Sequence, residues 1–90
     1  MAQEQRHTFR HLATDAVETD VRLAVIEYGD ILAEYATAAT APNASASVVD
    51  DYATAVDVLA LARRVPAEDV PPLLAVGARA LRRVHLGLSR

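Results

Sequence analysis

From Thr8 to Thr40 the chain has no proline, and apolar side chains recur there at alternating spacings of four and three: Val17, Val21, Ala24, Tyr28, Ile31, Tyr35 and Ala38. That repeat lays one continuous stripe along a helix and does not fit the two-residue period of a strand. It predicts an amphipathic first helix over residues 8–40, with 1–7 a frayed polar lead-in. Val25, Leu32 and Ala39 widen the seam on one side, and Asp20, Glu27 and Glu34 recur every seven residues beside it. Charges at that interval commonly flank a helix seam. Gly29 sits inside the segment and costs about 1 kcal/mol relative to alanine. Gly29-Asp30 also reads as a C-cap followed by an N-cap, which would split the helix and give four helices instead of three. A strand over Val21–Tyr28 suits the residue types, but no second strand is present to pair with it.

Residues 41–47 (Ala-Pro-Asn-Ala-Ser-Ala-Ser) form a loop by composition. Ser47 followed by Asp50 resembles a capping arrangement, and Asp50 and Asp51 suit the positive end of a helix. A second helix is expected over 48–65, burying Val49, Tyr52, Val56, Leu59 and Ala60. Arg63 and Arg64 fall in its last turn and Pro66 stops it. A third helix is expected over 70–88, because paired prolines at 71 and 72 are tolerated only in a first turn. Its stripe is Leu74, Gly77, Leu81, Val84 and Leu88, and Gly77 with Ala80 allows a neighbouring helix to approach closely. The short connection makes helices two and three an antiparallel pair. The fold class is thus all-α: a long N-terminal helix and a helical hairpin in one domain spanning residues 1–90.

Chains of this size bury roughly 60–65% of their unfolded surface, and much of the 52% hydrophobic content here is alanine. Phe9, Tyr28, Tyr35 and Tyr52 are the only aromatic residues. An unbroken first helix spans about 45–50 Å, against about 25–30 Å for each hairpin helix. Phe9, Leu12, Leu23 and Ile26 moreover lie off the main seam. A helix that is apolar on more than one side has more than one neighbour, and a thin core is often completed by a second chain. These features point to a homodimer in which first helices pack together. Leu23, Ile26, Tyr28, Ile31 and Tyr35 are expected at that interface, with Gly77 and Leu81 packing within each subunit.

Charge is uneven along the chain. Through Asp57 there are three arginines against ten acidic residues; beyond it there are six arginines against two. Arg63, Arg64, Arg79, Arg82, Arg83 and Arg90 are therefore a candidate basic patch for nucleic acid. Against a helix-turn-helix, the start of the third helix offers acid and proline where base-reading donors are needed. Pairing of these arginines with the acidic strip Glu27, Asp30 and Glu34, within the chain or across a dimer, is the favoured reading.

Glu4, His7, His11 and Asp15 share one helical face, and two histidines four apart can chelate zinc. Their terminal position and the neighbouring Arg6 and Arg10 weigh against a metal site, so no cofactor is expected. Glu18 and Arg22 form an ordinary surface pair. Tyr28, Tyr35 and Tyr52 can line an inter-helix pocket but stand at seam positions, and His85 reads as structural. The chain has no cysteine, and nothing in the spacing brings Ser45, Ser47 or Ser89 to a histidine. There is no glycine-rich phosphate loop. The first twenty residues are polar and charged, and no apolar run approaches the roughly 20 residues that cross a bilayer; a cytoplasmic protein is expected. The leading expectation is a non-catalytic interaction module, as a homodimer or a small adaptor of a larger partner. A small DNA-binding regulator using the C-terminal arginines is the alternative, and a ligand-binding or catalytic dimer with an inter-helix pocket is the third.

Overall fold

The structure, a computed structural model, describes the backbone of residues 2–90 and side chains from Glu18 onward. Three α-helices and one 3₁₀ turn follow each other in the order α1 (Ala2–Ala39), α2 (Ala46–Ala62), the turn (Ala67–Asp69) and α3 (Val70–Leu88). No strand occurs among the described residues. The chain is a small all-α bundle with a long first helix.

Helix α1 runs 38 residues without a break. It begins six residues earlier than the spacing predicted, since 2–7 offer helix formers and neither glycine nor proline. It also continues through Gly29, so the split reading is corrected. Gly29 faces Leu59 of α2, and a Cβ built there would lie 3.7 Å from the leucine Cδ2. That is ordinary contact, and no backbone angle at any described glycine is left-handed. The glycine is tolerated in α1 because the packed face on either side of it carries the helix.

Helix α2 starts at Ala46, two residues before the expected boundary. Ser45, with extended backbone (ψ 153), is its N-cap; its Oγ accepts a hydrogen bond from the Val48 amide at 3.3 Å. Ser47 is already inside the helix, so the capping role passes to Ser45. The helix ends at Ala62, with Arg63 as C-cap rather than in the last turn. Helix α3 matches its expected range and places its two prolines in the first turn.

The buried face of α2 also differs from the expected one. Val48, Ala55, Val58 and Ala62 are buried, whereas Val49, Val56 and Ala60 are exposed. Tyr52 and Leu59 are half-buried at the edge. Rating positions by side-chain size favours the valines, but α2 sits between two helices and needs small residues where they approach. Ala55 and Ala80, both fully buried, supply those contacts in the central core with Tyr28, Leu32, Val58 and Leu81. A second cluster of Ala39, Val48 and Val84 closes the end near the α1–α2 loop. Among the described residues, four of the eleven buried apolar ones are alanines, so the core is thin.

The glycines give a sharp contrast. At Gly77 of α3 a Cβ would stand 2.6 Å from Tyr28 Cζ and 2.8 Å from Cε2, with the hydroxyl oxygen closer still. Gly29→Ala is expected to stabilise the fold by about 0.5–1 kcal/mol through helix propensity. Gly77→Ala is expected to destabilise it by about 1–3 kcal/mol, since overpacking outweighs the same propensity gain. Urea midpoints moving in opposite directions would check both.

Candidate interaction surface

The geometry of α1 follows from two faces with opposite destinies. Its inner face, Val21, Val25, Tyr28, Leu32, Tyr35 and Ala39, meets the hairpin and is buried or half-buried. Tyr28 is 7% exposed, and its hydroxyl donates to the Ala55 carbonyl oxygen at 2.6 Å. The ring fills the space that Gly77 leaves open. Tyr28 therefore belongs to the chain's own core, and its expected place on an intermolecular interface is corrected. Tyr35, half-buried, shares a hydrogen bond of 3.0 Å with His85 Nδ1 and meets that ring edge-on at a centroid distance of 6.0 Å. It too is engaged within the chain.

Burial pushes the Tyr28 hydroxyl up from 10.0 to about 12. The folded state holds this proton more tightly than the unfolded chain, so its contribution is complete below pH 10. It is lost as pH rises from about 10 to 12. Circular dichroism during alkaline titration should show the fold weakening across that window, and Tyr28→Phe should blunt the effect.

The other three expected interface residues are exposed: Leu23 by 51%, Ile26 by 60% and Ile31 by 46%. At about 100° per residue they do not form one patch. Leu23 and Ile26 lie on the side facing away from the core, and Ile31 falls toward the α3 side. Ile26 also borders an open groove of about 540 Å³ lined by Val21, Arg22, Val25, Arg63, Val65 and Val70 among others. The groove is apolar inside, with Glu18, Arg22 and Arg63 supplying its charged residues. A shallower groove over Val49, Tyr52, Ala53 and Val56 lies where α2 meets the end of α1.

The expected basic patch is not brought together as one surface. Arg63 and Arg64 lie at the α2–α3 turn, whereas Arg79, Arg82 and Arg83 project from α3 about 14–20 Å along its axis from Val70. Among the described residues one ion pair forms, from Arg83 Nε to Asp51 Oδ1 at 3.0 Å, linking α3 to α2. The acidic strip Glu27, Asp30 and Glu34 is exposed on α1 and pairs with none of the described arginines. Intrachain pairing of that strip with the C-terminal arginines is corrected accordingly.

Glu4, His7, His11 and Asp15 lie outside the residues whose side chains are described. Among those described, no group of three or more histidines and acids is placed to hold a metal ion. No buried side-chain polar atom there lacks a hydrogen-bond partner.

Comparison with protein-family models, curated proteins and solved structures finds no match to this chain. The surface must be interpreted from its own chemistry. No described helix is long and apolar enough to cross a membrane. What the shift in the α2 seam conceals from sequence reasoning is the α2 groove: Val49 and Val56 look like core by size, and only the close packing at Ala55 turns them outward.

Proposed function

We propose that this chain is a non-catalytic helical association module whose α1 outer face receives another α-helix. The supporting observation is the exposure of Leu23 and Ile26, the second of them bordering the groove, on a helix whose opposite face is already satisfied. Two large aliphatic side chains left in water on a rigid element, next to an apolar channel, are the features of a helix-in-groove contact. The thin core adds to this, since small domains often gain stability from a second chain.

The test is a binding comparison between wild type and Leu23→Glu/Ile26→Glu. With wild-type chain immobilised, a protein ligand (the chain itself or another protein from the source cell) is expected to be retained and to be lost on the double variant. Equal retention by both, or retention of nucleic acid abolished by Arg79→Glu/Arg82→Glu/Arg83→Glu and untouched by the α1 changes, would overturn the reading. The second outcome would also show a steep dependence on salt.

A further inference from the structure

The outer face of α1 has a repeat of its own. Phe9, Leu12, Ala16, Thr19, Leu23 and Ile26 follow one another at spacings of three and four, the a and d positions of a heptad. Of these, Leu23 and Ile26 are exposed, and both lie on the side of α1 turned away from the face that holds the hairpin. The repeat turns polar at both ends, at Gln5 before Phe9 and at Asp30 after Ile26. It is thus a bounded seam about 27 Å long.

We infer that this seam is occupied by the same seam of a second copy, running antiparallel. The inference rests on the association reading above and names its partner. One register pairs like with like: Phe9 with Ile26 of the second copy, Leu12 with its Leu23, Ala16 with its Thr19, and polar Gln5 with its Asp30. Shifting by one heptad either way sets leucine against aspartate, glutamine or small residues. Charge selects the same orientation. Arg6 and Glu27 occupy e positions, and Asp15 and Arg22 occupy g positions. In the antiparallel pair, Arg22 meets the second copy's Asp15 and Glu27 meets its Arg6, each twice by symmetry. A parallel pair would keep an attraction between Arg22 and Glu27 but would oppose Asp15 to Asp20 and stack Asp30 on Asp30. The antiparallel dimer places one hairpin toward each end and covers both exposed residues.

The absence of cysteine makes disulfide trapping clean. Chains carrying Leu12→Cys and Leu23→Cys, distinguished by tag length and mixed under mild oxidation, are expected to yield the mixed disulfide. Leu23→Cys alone should not cross-link, because the two copies of residue 23 lie about 16 Å apart along the pair. Arg22→Glu is expected to weaken dimerisation at least tenfold, and adding Asp15→Arg to restore it. Efficient self-cross-linking of Leu23→Cys, or rescue of Arg22→Glu by Glu27→Arg instead, would mean a parallel pair and overturn the proposal. A monomer mass at every concentration would overturn it too. That outcome leaves the association reading standing if the wild-type chain still retains another protein through Leu23 and Ile26.

Discussion

Tyr28→Ala is expected to remove about 3–5 kcal/mol of folding free energy. A chain of this length holds roughly 5–15 kcal/mol in all, so the variant should sit close to unfolding. The size of the effect follows from what the ring touches. Among the described residues it is the one aromatic side chain that is buried, it fills the gap at Gly77, and it belongs to the cluster joining all three helices. Alanine there leaves a cavity that α2 and α3, held at close approach by Ala55 and Ala80, cannot collapse into. Tyr28→Phe separates packing from hydrogen bonding: it keeps the ring and loses only the bond to the Ala55 carbonyl, a cost of about 1 kcal/mol. Urea denaturation of the three proteins should rank wild type above phenylalanine and phenylalanine well above alanine.

The second large effect concerns association and leaves the fold in place. Leu23→Glu/Ile26→Glu is expected to weaken self-association at least a hundredfold, about 3 kcal/mol, since four carboxylates enter the apolar seam of each dimer. Both residues are exposed in the single chain, so helical content and cooperative unfolding should be retained. The thermal midpoint of the wild type should rise with protein concentration and that of the variant should not.

Much of this architecture is legible in the residues. The seven apolar positions from Val17 to Ala38 specify α1, Pro42 and the serines specify the loop, and Pro71-Pro72 locates the start of α3. Two things resisted. The seam of α2 depends on closeness of approach, and size alone ranks Val49 and Val56 above Ala55, the residue the core needs. The two faces of α1 have nearly the same period, so Tyr28 and Ile26 both read as interface until the hairpin shows which of them it covers. Leu23 and Ile26 are visible off the seam in the sequence, but their opposition to the hairpin is not. The arginine-rich C-terminal helix and the acidic first helix matched in sign, yet Arg83 reaches Asp51 of α2 instead, because that carboxylate lies on the neighbouring helix while the α1 strip faces away.

Sedimentation equilibrium of the wild type and Leu23→Glu/Ile26→Glu over a wide concentration range tests the central claim most directly. The two-faced α1 predicts twice the 9.7 kDa chain mass for the wild type, dissociating on dilution, and a single-chain mass for the folded variant. A wild type that sediments as a single chain throughout, or a variant that dimerises as the wild type does, would contradict it.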